Sequence, residues 1–442
     1  MWIKIKFLES SDGSIIVPKG FFKDEPSSCK IAFGHKALDA LVSYTQDQFE
    51  DNSSFEVPIT LQFPKEFKEK LLIYDSLVYR ANIDKDTMQI GPIIGFLLGV
   101  HNDIYSSRHM KKYSDRLGIY NKIGGLIYAF SPNSADLEEK IVFGLYYNFS
   151  NSKWEFGKFP MADVIYRRDF HQPNKLIDKL IDVTDNKLFN SHRFSKLDLY
   201  DFVKKEKSLC ESLPETIKID NFNSLKDFLD KNIKVILKPV NLSRGRGICI
   251  IEKMDENYEI NDYRSKKPKK TFIDNKSLKG FFNENQGFFD KYLVQKYINL
   301  ARIDDSLFDI RVVMQKNITG QWESSGIECR VSRPQTFITN IARGGYALNL
   351  DEALRISFGE NCDVQELTNK IIDYCTKLCS YLDNMGNHLA ELGLDIALDV
   401  EKKLWLIEAN VFPSFHGFKK IDFDTYLKIR YNPLLYALSL ML

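Results

Sequence analysis

Gly393-Leu-Asp-Ile-Ala-Leu-Asp399 and Leu404-Trp-Leu-Ile-Glu-Ala-Asn-Val-Phe-Pro413 are two apolar stretches separated by Val400 to Lys403. They read as two strands joined by a hairpin. In that arrangement Asp395 and Glu408 can face each other across the ladder. Glu408 and Asn410, two positions apart, point to one face because side chains alternate along a strand. Leu404, Leu406 and Ile407 mark a sheet with little exposed surface, where a carboxylate needs a partner. Two carboxylates and an amide oxygen on one face suit Mg2+ (or Mn2+), a hard ion that prefers oxygen ligands and often retains waters and substrate phosphates. The other reading of the same residues is a polar, solvated sheet face.

Upstream, Lys238-Pro-Val-Asn-Leu-Ser-Arg-Gly-Arg-Gly-Ile-Cys-Ile-Ile251 ends a hydrophobic strand on a lysine and continues into a loop with Gly245 and Gly247. Glycine removes the Cβ obstruction, so backbone amides in such a loop approach phosphate oxygens closely. Lys238, Arg244 and Arg246 add positive charge where a triphosphate must be neutralised. The loop is not a Walker A motif, since no Gly-Lys-Ser/Thr follows, nor a complete Gly-x-Gly-x-x-Gly fingerprint. Alone it reads equally well as a hairpin turn.

Between these segments stand Asp309-Ile-Arg311, Glu328-Cys-Arg330-Val-Ser-Arg333 and Asn340-Ile-Ala-Arg343-Gly-Gly345. Arginines at alternating strand positions and beside glycines can clamp phosphate oxygens bidentately. Ordinary surface ion pairs account for any one of them. Tyr292-Leu-Val-Gln-Lys-Tyr-Ile298 is an apolar run that suits an adenine pocket or a core strand.

The bulk properties frame these motifs. A chain of 442 residues is about three times the usual domain size, so two or three domains are expected. Residues 1–87 show short alternating runs, such as Ile3, Ile5 and Phe7, and predict a small β-rich domain. Over 88–187, glycine-bounded apolar runs at Gly91 and Gly124 flank a helix-like segment from Tyr105 to Leu117, and a second helix can start at Asp136 to Lys140. That order predicts an α/β unit on a small parallel sheet. Residues 188–442 carry the chemistry, with a capped helix from Ser195 to Glu206 and a one-faced helix from Val364 to Met385. The fold class is mixed α+β and α/β. The Lys266-Lys-Pro-Lys-Lys270 cluster reads as a solvated loop that can also touch an anionic substrate or a nucleotide.

Basic and acidic side chains number 61 and 60. A near-neutral chain has no global field to gather nucleic acid or hold an acidic membrane. The seven scattered cysteines lack zinc-site spacing and read as buried thiols of a reducing compartment. Met1-Trp-Ile-Lys-Ile-Lys-Phe7 alternates like a strand and is no signal peptide, and the apolar run from Ile90 to Val100 is too short to span a bilayer. These features place the chain in the cytoplasm.

The order of the motifs resembles the ATP-grasp superfamily throughout residues 188–442. The resemblance implies two lobes with ATP between them. Lys196 of Phe194-Ser-Lys-Leu197 looks like the first phosphate-contacting lysine and Lys238 like the second. By the same resemblance adenine lies against Gln295, Lys296, Tyr297 and Ile298, and Asp304 or Asp305 holds the ribose. Asp395, Glu408 and Asn410 match the family's metal ligands, and Arg311, Arg330 and Arg343 match positions that contact phosphates or an acyl-phosphate. Gly91-Pro-Ile-Ile-Gly95, His109-Met-Lys-Lys-Tyr-Ser114, Gly124-Gly-Leu-Ile-Tyr-Ala-Phe-Ser-Pro132, Gly144-Leu-Tyr-Tyr-Asn148 and Val164-Ile-Tyr-Arg-Arg168 resemble the spore-coat-associated YheC/YheD branch, a likeness that covers nearly the whole chain. It implies a pre-ATP-grasp domain and carboxylate–amine ligase activity on small-molecule or peptide substrates, as in relatives from peptide natural product pathways.

Two positions depart from the pattern. Pro413-Ser414 stands where such sequences usually carry Pro-Gly, so a backbone that needs glycine would be strained there. Lys296 occupies a position that is often acidic. The resemblance also leaves two other readings: a phosphotransferase that stops at a phosphorylated hydroxyl, and a coat protein with vestigial ATP binding.

Overall fold

Ile3 and Ile5 are buried while Lys4 and Lys6 face solvent, the period-two pattern of a strand with one face on a core. A computed structural model of the chain describes residues 1–9, 13–49, 53–169, 175–240, 247–265, 269–285, 287–333 and 344–441. The first strand, Trp2–Leu8, begins a closed barrel that runs on through Ile59–Pro64, Ser14–Lys19, Lys36–Gln48, Ser28–Phe33, Thr87–Gly91 and Val78–Asp84. Closure leaves no unpaired edge. Ile15, Val17, Ile31, Phe33, Leu61, Tyr79 and Ile90 fill the interior.

The next sheet has the order Lys153–Pro160, Ile141–Asn148, Leu126–Asp136, Ile93–Leu97, Val164–Arg167 and Leu188–Phe189. Its last four strands are parallel, as expected, but the first two pair antiparallel and make the sheet mixed. No helix starts at Asp136. Its carboxylate accepts the backbone N–H groups of Glu138 and Glu139 at 3.1 and 3.0 Å, a side-chain-closed turn that reverses the chain into the next strand. The 105–117 segment is not one helix either. It breaks into the short turns Ser107–Met110 and Lys111–Ile119, tied singly to the neighbouring sheet by Ser107 Oγ on the Trp154 carbonyl and Trp154 Nε1 on Ser114 Oγ. Gly125, at φ +74, lets the Leu126–Asp136 strand begin against Pro92, whose carbonyl oxygen would lie 2.1 Å from any Cβ there.

Two further antiparallel sheets follow. The first lobe orders Thr216–Lys218, Tyr292–Lys296, Lys234–Pro239, Cys249–Met254, Asn257–Asp262 and Lys269–Asp274. Helices Phe222–Asn232 and Asn275–Glu284 cover one face through Leu225, Leu229, Leu278 and Phe282. The second lobe orders Tyr346–Leu348, Trp322–Val331, Ser306–Lys316, Glu391–Leu398 and Leu404–Asn410. Helix Val364–Asp383 buries Leu367, Ile371, Cys375, Leu378 and Leu382 against it, the stripe anticipated from the sequence. Lys196–Val203 is the expected capped helix, with the Ser195 and Asp198 side chains closing a reciprocal capping box. Helix Phe423–Ser439 places Leu434, Tyr436 and Ala437 in the same core as the barrel and the mixed sheet. Among the described residues, no helix is long and apolar enough to cross a membrane.

Leu394 is fully buried in the second lobe. Leu394→Ala is expected to cost about 2–5 kcal/mol through lost transfer energy and a residual cavity. Urea unfolding followed by tryptophan fluorescence, to which Trp322 and Trp405 of this lobe contribute, checks it. An unchanged midpoint would contradict the packing described.

Candidate active site

The second-lobe register sets four charged residues in one row across four strands. Glu328 pairs with Arg311, Arg311 with Asp395, and Asp395 with Glu408. Directly opposed residues share a face, so the row lies on one side of the sheet. Arg330 and Asp309 pair on the same face one step along, and Gly393 pairs with Asn410 one step the other way. Ile310, Val312, Cys329, Leu394 and Ile396 point to the opposite face and into the core. A bulge follows the Asp395–Glu408 pair, with Ile396 opposite Leu406. It leaves Ile407 without a ladder partner, and that is why two apolar residues stand side by side in this strand.

The row is knit by charge-assisted bonds. Arg311 donates Nε to Asp395 Oδ1 at 2.5 Å and Nη2 to Oδ2 at 3.1 Å. Arg330 grips Asp309 with Nε and Nη2 at 2.6 and 2.8 Å, and its Nη2 also lies 2.9 Å from Asp395 Oδ2. Burial opposes the Asp395 charge, but Arg311 and Arg330 outweigh it and hold the carboxyl below its usual range. Glu328 is different. Burial pushes it up to about 7, Arg311 and Arg330 pull against that, and its Oε2 has no hydrogen-bond partner.

Two lysines lie beside this row, Lys196 at its edge on the same lobe and Lys238 across a cleft on the first lobe. Lys196, the first residue of its helix, places Nζ 3.4 Å from Glu408 Oε1. Lys238, from the first-lobe sheet, donates to Gln295 Oε1 at 2.6 Å, and Gln295 Nε2 donates to Thr216 Oγ1 at 2.8 Å. Burial lowers the Lys238 pKa to about 8, Lys196 adds to the fall, and Glu408 opposes it. Leu199, Leu213, Leu293, Leu406 and Ile407 supply apolar walls. The structure thus brings Lys196, Lys238, Gln295, Asp395, Glu408 and Arg311 to one cleft and its adjoining sheet face.

Other expected residues lie further out. Lys296 is exposed, with its backbone N–H on the Glu215 carbonyl, while Tyr297 and Ile298 are partly buried beyond the strand end. Asp304 and Asp305 form the exposed turn of a hairpin between Arg302–Ile303 and Ser306–Lys316. Gly247 has φ +78, a conformation that favours glycine. Arg244, Gly245, Arg246, Asn340 and Arg343 lie outside the described residues, as do residues 266–268 of the lysine cluster. Lys269 and Lys270 of that cluster begin a strand instead of a loop.

Ser414 is not strained, because its φ is not among the positive ones. Its carbonyl accepts Arg311 Nη1 at 2.9 Å. The glycine this corner requires is Gly393, where a Cβ would stand 2.4 Å from Pro413 Cβ. Sequence reasoning gave no role to Asp309 and Glu328, although both alternate with the arginines they serve.

Among the described residues, no three His, Cys, Asp or Glu side chains converge as a metal cage. A set of three is reached only with the amide of Asn410. Asp395 Oδ2 is taken by two arginines, whereas Oδ1 accepts one bond and keeps a lone pair. Two carboxylates and one amide oxygen fit a hard divalent ion whose shell is completed by phosphates and water.

Residues 185–440 match the YheC/D like ATP-grasp family. The chain belongs to this family. Its ATP-grasp region contains both lobes, the two lysines and the charged row. The endospore coat-associated protein YheD of Bacillus subtilis (strain 168) is 23% identical over 428 residues, 92% of this chain and 88% of that protein. YheC of the same organism is 25% identical over 321 residues, 70% of this chain and 86% of that protein. A solved structure of the ATP-grasp ligase PsnB with a minimal precursor aligns over 79% of this chain and 99% of its own, with TM-score 0.44 and 14% identity.

The raised Glu328 pKa carries a pH signature. Its contribution to stability is full below about pH 4.5 and is lost as pH rises through about 7. Glu328→Gln is therefore expected to flatten the stability–pH profile across that window. Denaturant midpoints of both proteins at several pH values check this, and parallel profiles would refute it.

Proposed function

We propose that this chain is an ADP-forming, ATP-dependent ligase that joins a carboxylate to an amine through an acyl-phosphate. The observation that carries this reading is the row Glu328–Arg311–Asp395–Glu408, with Lys196 at its edge and Lys238 across one cleft. Positive groups lie on both sides of the space a triphosphate would occupy. In-line phosphoryl transfer needs mainly positioning and charge neutralisation.

In this reading the first-lobe strand end at Gln295, Lys296, Tyr297 and Ile298 holds adenine, Asp304 or Asp305 takes the ribose, and residues 244–247 cover the phosphates. Asp395, Glu408 and Asn410 hold Mg2+, which when bound spreads the charge of the transferring phosphoryl group. A substrate carboxylate oxygen attacks the γ-phosphorus and ADP leaves. Lys196 and Lys238 hold the phosphate oxygens, while Arg311, Arg330 and Arg343 hold the acyl-phosphate. The amine then attacks the acyl carbon, the C–O bond to phosphate breaks, and the nitrogen gives up its proton as the amide forms. No protein nucleophile is needed.

Lys238 is tuned for this work. Burial and Lys196 disfavour its charge, so a phosphate anion beside it favours protonation and is bound more tightly in return. The chain works in the cytoplasm in this reading, with residues 1–87 and 88–187 as units ahead of the 188–442 ATP-grasp unit. Its relatives' names point to the spore coat as a destination. A coat protein with vestigial ATP binding would not need the paired charges of the row kept intact.

The test is Mg-dependent ATP turnover with pooled amino acids and short peptides, products followed by mass spectrometry. ADP, phosphate and a new mass equal to two substrates minus water are expected. Glu408→Ala is expected to abolish turnover, and Lys238→Ala to raise the KM for ATP by roughly tenfold or more. A stable phosphorylated product would make the chain a phosphotransferase. An active Glu408→Ala enzyme would sink the metal assignment.

A further inference from the structure

Away from the charged row, three guanidinium groups converge on one aromatic ring. Arg116 of the Lys111–Ile119 turn, Arg168 just past the Val164–Arg167 strand and Arg430 of the Phe423–Ser439 helix lie 5.6, 5.7 and 5.5 Å from the Phe415 ring centre. Arg116 is 2% exposed and Arg430 8%, and the Nε of each has no hydrogen-bond partner. Arg116 Nη1 reaches the Tyr166 hydroxyl only at 3.5 Å. Arg430 Nη1 donates to the Lys112 carbonyl at 3.3 Å. Arg168 is better satisfied, donating to Tyr166 Oη at 3.0 Å and to the Pro413 carbonyl at 3.3 Å, and pairing with Glu391.

The acids within ion-pair reach of these three are Glu391 and Asp115. Glu391 is fully buried and already accepts from Arg168, Tyr166 and Gln315. Asp115 is partly exposed, 3.9 Å from Arg430 Nε, and bonded to the Tyr426 hydroxyl. Among the described residues, the one fully buried carboxylate beside these three cations is that of Glu391, and it pairs with Arg168. Burial lowers the Arg116 pKa, and Arg168 and Arg430 add to the fall while Tyr166 and Glu391 resist it. Buried guanidinium N–H groups with no acceptor are the complement of an anion.

The cluster also has a definite position relative to the transfer row. Glu391 lies on the same strand and the same face as Asp395, four residues earlier, and so about 13 Å away. Phe415 sits between exposed Ser414 and His416, one residue past the carbonyl that Arg311 holds. We propose that Arg116, Arg168 and Arg430 form an anion subsite for a second carboxylate of the substrate, remote from the carboxylate that is activated. The proposal rests on the ligase reading for the identity of its occupant. Guanidinium forks match carboxylates bidentately, and a span of about 13 Å is that of about four extended residues. The substrate class is therefore a dicarboxylate of that length, a short peptide that carries a free C-terminal carboxylate besides the carboxyl group that is activated.

Isothermal titration of the full chain without nucleotide tests this with three probes: N-succinyl-tri-alanine free acid, which carries a carboxylate at each end, its C-terminal amide, which keeps only one, and inorganic phosphate. The acid is expected to bind at least roughly tenfold more tightly than the amide. Arg116→Gln and Arg430→Gln are expected to remove that preference while AMP-PNP affinity stays unchanged. Arg430→Lys keeps the charge but loses the fork, and covers the case in which the glutamine variants fail to fold. The wild-type unfolding midpoint, raised by the acid and not by the amide, is a reading free of any variant. Equal binding of acid and amide, or no binding of either, overturns the subsite. Tighter binding of phosphate than of the acid assigns the cluster to a phosphate group and overturns the carboxylate. Failure of AMP-PNP to bind wild-type protein would sink the ligase reading and leave the anion result standing.

Discussion

The Asp395 carboxylate is the pivot of the second lobe. It is buried in the middle of an antiparallel sheet and takes hydrogen bonds from both Arg311 and Arg330. Arg311 would lose its bidentate carboxylate without it, and Arg330 would keep only Asp309; a buried charge left without its partner is strongly destabilising. Arg330 in turn fixes Asp309, and Arg311 reaches on to the Ser414 carbonyl. One carboxylate therefore orients two cationic groups and, through one of them, the chain segment that follows the Leu404–Asn410 strand. Such pairing holds positive charge in place before a substrate arrives, which is the condition for electrostatic catalysis.

The opposite balance holds at Lys238 and at the arginine cluster. Lys238 has a neutral partner in Gln295, and Arg116 has a distant hydroxyl and aromatic rings as its neighbours. Positive charge there is incompletely neutralised by the protein. The charged groups thus divide into a satisfied set on the second-lobe sheet, which positions, and an unsatisfied set on the elements around it, which has capacity to bind. The distinction is drawn by hydrogen-bond accounting and not by residue type, because arginines occur in both parts.

Much of this was readable from the residues. Apolar runs located the strands that carry Lys238, Asp395 and Glu408, alternating arginines marked the strands of Arg311 and Arg330, and the hairpin at Val400 to Lys403 let Asp395 face Glu408, as the register shows. Local capping signals gave the Lys196–Val203 helix. Helix assignment over 105–117 and 136–140 failed where side chains, not periodicity, set the backbone. Asp136 closes a turn, and Ser107 and Ser114 bond to a tryptophan some forty residues away. The arginine cluster was not legible at all. Arg116, Arg168 and Arg430 are brought together by packing of the C-terminal helix on the mixed sheet, and no spacing in the chain encodes that contact. The strain expected at Ser414 was misplaced because close backbone approach falls on its neighbour across the corner, Gly393.

That long-range packing bears on which part of the molecule can move. The mixed sheet and the second lobe are joined by buried polar contacts: Asn190 Oδ1 accepts the backbone N–H groups of Ala390 and Glu391, and His388 bonds to the Asn186 carbonyl and the Tyr436 hydroxyl. The barrel shares one apolar core with the mixed sheet and the C-terminal helix. Rigid-body rotation of the second lobe against these parts would break bonds to buried groups. The first lobe has a hydrophobic core of its own, around Leu229, Leu237, Ile251 and Phe282, and can shift without opening any other. Nucleotide entry is therefore best served by motion of the first lobe, carrying Lys238 and Gln295, against a fixed second lobe carrying Lys196 and the charged row. A site divided in this way is complete only when the lobes close, and closure of that kind excludes water from whatever the cleft holds.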